Sequence, residues 1–383
     1  MNDTLQQTTP IASCSRCLYD EKVPSISFDA NGMCSYCKIH DDLAAQYPIG
    51  DKGEQRLLAL AEEIKKSSRG KKYDCVVGVS GGCDSSYLIY RMVQLGLRPL
   101  AAHFDNTWNS PIATQNIYKV LKKLNVDLDT YVVNNKEYDD IYRSFMLAGV
   151  PDIEAPTDIG LASTLYLAAE KHGIEYIIEG HSFRTEGISP LGWLYMDGKY
   201  IKSVHQRFGS VPMKTYPNMT MQRFIRWIAL RGIKRIRPLY YMNYNKEEVK
   251  TFLAKEFGWE WYGGHHLENR FTAFYHSYYM PQRFKIDPRV LGYAAFVRSG
   301  QMTREEGLEL MRTPQECPEE TLALVKKRLG FSEQEFERIM NSPLHYWREF
   351  PNYKETFVKL RPFFWVMMKL KRVNESFYIK FCF

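Results

Sequence analysis

Apolar residues change their spacing along this chain, and each change marks a different kind of structure. Residues 14 to 37 are turn-rich and hold little apolar content of their own. Over 54–66, Leu57, Leu58, Leu60, Ala61 and Ile64 recur at helical spacing, predicting a helix that ends near Gly70. From Asp74 onward, short apolar runs at Cys75–Val79, Leu100–Phe104, Tyr131–Val133 and Tyr176–Ile178 alternate with amphipathic stretches that include 85–95, 112–124 and 159–171. Strands alternating with helices predict a parallel sheet covered on both faces, a doubly wound α/β fold. In such sheets ligands bind beyond the C-terminal strand ends, at a topological switch point. The alternation fades near residue 245. Segments 246–257, 303–311, 319–329 and 332–341 then read as helices, with Ser332 and Glu335 placed to form a capping box. The expected organisation is therefore 1–45, a linker helix over 46–71, an α/β domain over 72–245 and a mainly helical region over 246–383.

Composition adds modest constraints. Hydrophobic residues make up 45% and charged residues 25%, ordinary values for a folded domain. The net charge of +7 suits an anionic ligand and equally suits a lysine-rich surface. Met1 to Pro10 is polar, and no apolar run approaches the roughly 20 residues needed to span a bilayer; the longest, Phe363–Met368, is far shorter. The expectation is a cytoplasmic protein with reduced thiols.

That setting bears on the eight cysteines. Cys14 and Cys17 form one C-x-x-C pair, Cys34 and Cys37 another, sixteen residues apart. Each pair can turn two sulfurs toward one ion, and Asn31-Gly32 supplies a turn before the second pair. The spacing predicts a closed four-thiolate zinc ribbon, hence a structural ion. His40 reads as a surface residue.

The strongest chemical signal follows the first strand. Asp74–Val79 runs into Ser80-Gly81-Gly82-Cys83-Asp84-Ser85-Ser86, where a helix carrying Leu88, Ile89, Met92 and Val93 begins. Adjacent glycines let main chain approach phosphate oxygens, and a helix N-terminus favours an anion. Asp84 would repel phosphate unless Mg²⁺ is shared between them. No lysine follows the glycines, so this is not the G-K-[ST] loop. The stretch resembles the S-G-G-x-D-S motif of the PP-loop ATP pyrophosphatases, with an adenine nucleotide alpha-hydrolase-like fold. That resemblance implies ATP held by Ser80, Gly81, Gly82, Asp84, Ser85 and Ser86, and adenosine recognised where His103, Asp105 and Asn106 end the second strand. Gly180 permits close approach at another strand end. His181 or Arg184 is placed to face the α-phosphate, and Glu186 or Glu179 to share Mg²⁺ with Asp84.

Later motifs narrow the resemblance. Gly192-Trp193-x-Tyr195-x-Asp197-Gly198-Lys199-Tyr200-Ile201, Val204-His205 and Gly263-Gly264-His265-His266-Leu267-Glu268-Asn269 are similar to the N-acetyl sugar amidotransferases of the WbpG type, which act in O-antigen and lipopolysaccharide synthesis. The resemblance implies an ATP-dependent amidotransferase that adenylates an acetamido oxygen of a nucleotide-linked sugar and installs ammonia as an acetamidino group. It also implies a separate glutaminase and a cyclase-like channel subunit, since position 2 is Asn and no cysteine sits in a convincing glutamine-cleaving setting. Lys199, Lys202, His205, His265, His266, Glu268 and Arg270 are candidates for sugar contacts or proton handling, and Asp84, His181, Arg184 and Glu186 for catalysis. A tRNA-thiolating PP-loop enzyme is the alternative; that branch usually needs reactive cysteines in the loop domain, whereas Cys75 lies within a buried strand and Cys83 is the variable loop position, and no nucleic-acid partner is expected. The aromatic, basic run Phe363–Phe383 is either a final helix on the core or a docking element for a partner or a membrane surface.

Overall fold

The computed structural model describes residues 12–264 and 267–383. Helices α1 (Ser35–Gln46) and α2 (Asp51–Ser67) come first. Then β1 (Cys75–Gly78), α3 (Cys83–Gln94), β2 (Pro99–Asp105), α4 (Pro111–Leu124), β3 (Leu128–Val132), α5 (Asn135–Ala148), α6 (Ala155–Lys171) and β4 (Tyr176–Ile178) follow in turn. After α7 (Gly198–Phe208) and α8 (Met221–Ile225), a short β5 (Lys234–Ile236) completes the sheet. The remainder is helical: α9 (Lys246–Phe257), α10 (Arg270–Phe274), α11 (Arg289–Arg298), α12 (Arg304–Arg312), α13 (Glu319–Leu329), α14 (Glu333–Asn341), α15 (Lys354–Lys359), α16 (Arg361–Lys369) and α17 (Glu375–Cys382).

The chain divides into two units. The larger, Pro48–Ser182 with Leu194–Pro288 and Gln315–Phe383, contains the sheet. Its five strands are all parallel in the order β3-β2-β1-β4-β5, with Val77 of β1 paired to Ala101 of β2 and to Ile178 of β4. Alternate strand residues face opposite cores. Val76, Leu100, Ala102 and Ile177 join residues of α5 and α6 on one side. Cys75, Val77, Ala101, Tyr176 and Ile178 join residues of α2, α3, α4 and α9 on the other. This two-sided burial is the doubly wound arrangement that the alternation predicts.

Local chemistry sets the helix starts. Ser110 accepts the Ala113 amide at 3.2 Å before Pro111, and Asn134 accepts the Glu137 amide at 3.2 Å. Among the elements not singled out in the sequence are α5 and β5. The period of Tyr138, Ile141, Tyr142, Phe145 and Met146, all fully buried, marks α5. By contrast β5 reads Lys-Arg-Ile, too short and polar to register as a strand. At α14 the expected capping box forms by half. Ser332 Oγ accepts the Glu335 amide at 3.2 Å, but the Glu335 carboxylate goes to Arg143 Nη2 at 2.6 Å. The full box sits at α12, between Thr303 and Glu306. The aromatic run near the end packs on the core through Phe364, Met367, Phe381 and Cys382.

Among the described residues, the smaller unit joins 12–47 to two later segments, Phe183–Trp193 and Arg289–Pro314. Among its described residues, the ribbon region has a core of Tyr19, Val23, Tyr36 and Ala294, with Ile188, Leu291 and Val297 against it. The ribbon expected within 1–45 thus draws in residues from far along the chain. His40 is buried here, not at the surface: its ring lies edge-on to Phe183 and burial lowers its pKa to about 4.

Candidate active site

The glycine loop lies at the end of β1, and the sheet order reverses between β1 and β4, so the loop flanks the switch point. Gly81 has φ +81°, and a Cβ there would lie 2.0 Å from the Ala113 carbonyl oxygen. Only glycine fits. Its own carbonyl accepts Trp259 Nε1 at 3.0 Å and Asn116 Nδ2 at 3.4 Å, which fixes the turn from outside. Two loop amides are held by the loop's serines: Ser80 N–H donates to Ser85 Oγ at 3.3 Å, and Gly82 N–H to Ser80 Oγ at 3.2 Å. The Ser85 hydroxyl also donates to the Gly82 carbonyl at 3.3 Å, so these two serines brace the loop's own main chain.

Asp84, in the first turn of α3, has two partners of its own. Lys246 Nζ lies 3.0 Å from Asp84 Oδ2, and the Tyr244 hydroxyl donates to Oδ1. The lysine side chain is only 7% exposed, so the pair sits in a low-dielectric place. Asn245 sets this up by capping α9, accepting the Glu247 and Glu248 amides at 3.0 and 3.3 Å. A lysine does serve this loop, then, but from a segment 162 residues away. Burial, then the Asp84 charge, raises the Tyr244 pKa well above its usual value.

A second strip of chain closes the other side. Ser110 N–H donates to the Glu268 carbonyl at 2.8 Å and Arg270 N–H to the Trp108 carbonyl at 2.9 Å. Asn269 Nδ2 donates to Asn106 Oδ1 at 3.1 Å and to Asn109 Oδ1 at 3.3 Å. This zipper brings Glu268 to the loop, where its Oε1 and the Tyr262 hydroxyl stand 3.1 and 3.2 Å from where a Cβ on Gly82 would be. His103 braces the same region. Its Nδ1 is 2.8 Å from the Val79 carbonyl, which can only accept, so Nδ1 carries the proton and Nε2 accepts from Asn109 Nδ2 at 3.1 Å. Burial lowers the His103 pKa and keeps the ring neutral. Asp105 accepts the Thr107 amide at 2.8 Å, fixing the turn after β2.

At the end of β4, a Cβ on Gly180 would be 3.8 Å from Ser85 Cα and N, so this strand end meets the loop. His181 Nδ1 is 3.3 Å from the Tyr240 hydroxyl. Glu179 is held by Arg235, by Arg237 Nε at 2.9 Å and by Asn374 Nδ2 at 2.9 Å, a structural role that leaves it poorly placed to hold a cation.

Ser80, Gly81, Gly82, Asp84, Ser85, Ser86, Gly180 and Glu268 thus converge, with His103 bracing from beneath. Arg184 and Glu186 belong to the smaller unit, where Arg184 Nη2 donates to the Tyr47 carbonyl at 2.9 Å and its guanidinium covers the Phe183 ring at 4.3 Å. His205 is buried in α7 with Nε2 3.0 Å from Asp140 Oδ2 of α5. Lys199 and Lys202 are exposed on α7, and Arg270 is exposed at the start of α10. His265 and His266 lie outside the described residues. Sequence reading missed Tyr244, Lys246, Tyr262 and Asn109. A capped helix beginning with lysine was visible at 246, but nothing in the local pattern ties it to Asp84.

The cysteine cluster tests cleanly against a metal. The four sulfurs lie within 4.8 Å of one another, and Cys14–Cys37, Cys17–Cys34 and Cys34–Cys37 are 3.8, 3.7 and 3.7 Å apart. Tetrahedral zinc–thiolate bonds require sulfurs about 3.8 Å apart. Amides of Arg16, Cys17 and Cys34 point at Cys14 Sγ at 3.3–3.4 Å. Arg298 Nη2 reaches Cys17 Sγ at 3.2 Å, and Arg304 Nε bonds the Cys14 and Cys17 carbonyls at 3.1 and 3.2 Å. A buried cation beside four thiolates suits a closed, doubly negative zinc shell.

These features define a doubly wound α/β protein with a glycine-rich loop at its switch point, a four-cysteine cluster and a helical C-terminal region. Residues 268–368 match the family described as LPS biosynthesis protein WbpG-like, C-terminal domain; the matched stretch begins at Glu268, beside the loop. This meets the family resemblance carried by the sequence motifs. No curated protein matches the chain. Among solved structures, the chain is similar to an NMN synthetase from Francisella tularensis (15% identity, TM-score 0.27, covering 53% of this chain and 85% of that one). It is also similar to an NH3-dependent NAD synthetase from Campylobacter jejuni (13%, 0.31, 77% and 97%) and to a tRNA methyltransferase subunit from Methanocaldococcus jannaschii (14%, 0.28, 47% and 73%).

Proposed function

We propose that this chain is an ATP-using PP-loop enzyme of lipopolysaccharide synthesis, and specifically an amidotransferase that converts an acetamido group of a nucleotide-linked sugar into an acetamidino group. The observation that carries the reading is the meeting of the Ser80–Ser86 loop, Asp84 and Lys246 with Glu268, the first residue of the WbpG-like domain.

Amide oxygen is a poor leaving group, and linking it to AMP splits one hard substitution into two feasible ones. The amide oxygen attacks the α-phosphorus of ATP, and the bond to the bridging oxygen of pyrophosphate breaks. Ammonia then attacks the imidate carbon, the C–O bond breaks with its electron pair leaving on AMP, and a proton is lost from nitrogen. The glycine loop and the first turn of α3 bind the phosphate tail, with Ser80 and Ser85 exchanging their internal bonds for ones to phosphate. Mg²⁺ entering with the nucleotide would be held by Asp84 and would neutralise charge on pyrophosphate. Lys246 would then turn from Asp84 to the departing phosphates, a role the loop's own sequence leaves unfilled. Glu268 is the candidate for orienting the acetamido nitrogen or accepting the proton; His181, Arg184, Glu186, Lys199, Lys202, His205, His265, His266 and Arg270 stand as proposed contacts to AMP or sugar. Separate glutaminase and cyclase-like subunits would supply ammonia in the cytoplasm. The tRNA-thiolating alternative finds no support in the cysteines: burial pushes the Cys83 thiol up to about 12 and raises Cys75 further, so neither is a ready nucleophile.

The test is to incubate the purified chain with ATP, ammonium and nucleotide-linked acetamido sugars. AMP, pyrophosphate and a sugar lighter by the difference between O and NH are expected. Release of ADP, or no AMP with any such sugar, overturns the reading.

A further inference from the structure

Helix α16 is amphipathic in an unusual sense, because both of its faces are apolar. Phe364 and Met367 turn into the core at 0% and 7% exposure. On the other side Trp365, Val366 and Leu370 are 48%, 43% and 46% exposed, and Lys369 completes the same helical stripe. At the start of the helix, Phe383 is 61% exposed with the Arg361 guanidinium 4.3 Å over its ring. One exposed leucine needs no explanation, but several large apolar side chains on one short stripe do.

Charge tells what could cover it. From Lys354 to Phe383 there are seven Lys and Arg against two Asp and Glu, a net of +5 out of +7 for the whole chain. Five of the seven are lysines, and Lys359, Lys369 and Lys371 are exposed around the stripe. Protein interfaces are depleted in lysine and enriched in arginine and tyrosine. The headgroup zone of a bilayer accepts the reverse: tryptophan and aliphatic side chains sink in while lysines stretch their ammonium groups to the phosphates. No described helix is long and apolar enough to cross a membrane, so the arrangement suits lying on a surface.

We propose that the outward stripe of α16, with Phe383 beside it, docks this protein on an anionic membrane surface. The proposal is independent of the chemistry at the glycine loop. It places the enzyme against a leaflet and predicts that a lysine-ringed apolar stripe reads negative headgroups.

The full chain should co-sediment with phosphatidylglycerol/phosphatidylcholine vesicles about tenfold more than with phosphatidylcholine alone, and the excess should vanish at high salt. A Trp365→Glu, Val366→Glu double variant should lose about tenfold in vesicle partition, and Lys369→Glu about threefold, with unchanged thermal melting. Because these side chains face outward, melting separates lost docking from lost folding. Should the double variant unfold, Leu370→Ser alone carries the test. Equal binding to both vesicle types, or unchanged binding by the variants, overturns the proposal. So does a wild-type dimer that ignores vesicles and becomes monomeric in the double variant, which would assign the stripe to a second copy of the chain.

Discussion

The cysteine cluster and the glycine loop are the two candidate sites for a charged ligand, yet they are built over very different reaches of chain. All four thiolates come from residues 14 to 37, and distant residues such as Arg298 and Arg304 only brace them. The loop supplies its turn locally, but the side chains that give it chemistry arrive from 103, 244–246, 262 and 268. A metal shell needs four copies of one donor at one radius, and two short knuckles can provide that. A phosphate site needs donors of different kinds and reach, so the fold must gather them. Local motifs thus announce a site's existence, while its chemistry depends on tertiary structure.

The sharpest way to break this contrast is to remove the metal. Zinc-thiolate sites of this type contribute on the order of 10 kcal/mol. Chelation, or Cys34→Ala, should release one zinc per chain and strip hydrogen-exchange protection from Arg289–Pro314, whose Arg298 and Arg304 contact the cluster. Retained protection there would mean that the distant segments hold the unit without the ion.

Next comes the Asp84–Lys246 pair. Asp84→Ala should lower AMP formation by about a thousandfold or more and should destabilise the fold by about 3 kcal/mol, because it removes the carboxylate from beside a buried ammonium. The double variant Asp84→Asn, Lys246→Met should recover most of that stability and none of the activity. If the single and double variants melt alike, the pair is not what Lys246 is held by.

A third test uses another pocket gathered from afar. Asp152 accepts the Tyr195 amide at 2.6 Å and the Tyr200 hydroxyl at 3.2 Å, and burial raises its pKa to about 7. A carboxyl whose folded pKa is raised stabilises the fold most below its unfolded value near 4, and that contribution is lost as pH rises through about 7. Stability should therefore decline between those limits, by at most about 4 kcal/mol. Asp152→Asn should flatten the profile in pH-dependent melting; an unchanged slope would assign it elsewhere. The smallest effect belongs to the local turn. Gly81→Ala should cost about 2 kcal/mol, from a positive φ and a collision with Ala113, and should raise the ATP requirement of AMP formation.

How much of this could be read beforehand follows the same divide. Strands β1, β2 and β4, the glycine loop and the cysteine pairs stand out because their residue types and spacings are dictated locally. Strand β5 did not, since its burial comes from neighbours rather than from Lys-Arg-Ile itself. Glu335 shows the competition directly: its local partner at Ser332 loses its carboxylate to Arg143, 192 residues distant. His40 looked like a surface histidine because no nearby residue reports that Phe183 covers it.

The Glu179 carboxylate has a practical corollary for anyone reshaping this protein. Asn374 and Arg237 meet on it, Arg237 Nη1 also reaches Ser376 Oγ at 3.3 Å, and the Arg235 amide donates to the Lys371 carbonyl at 3.4 Å. The tail is therefore stitched to the sheet's outer strand. Trimming it before Lys371 to improve handling would unpick that seam and leave two arginines crowding one acid, so any tag or fusion belongs beyond Phe383.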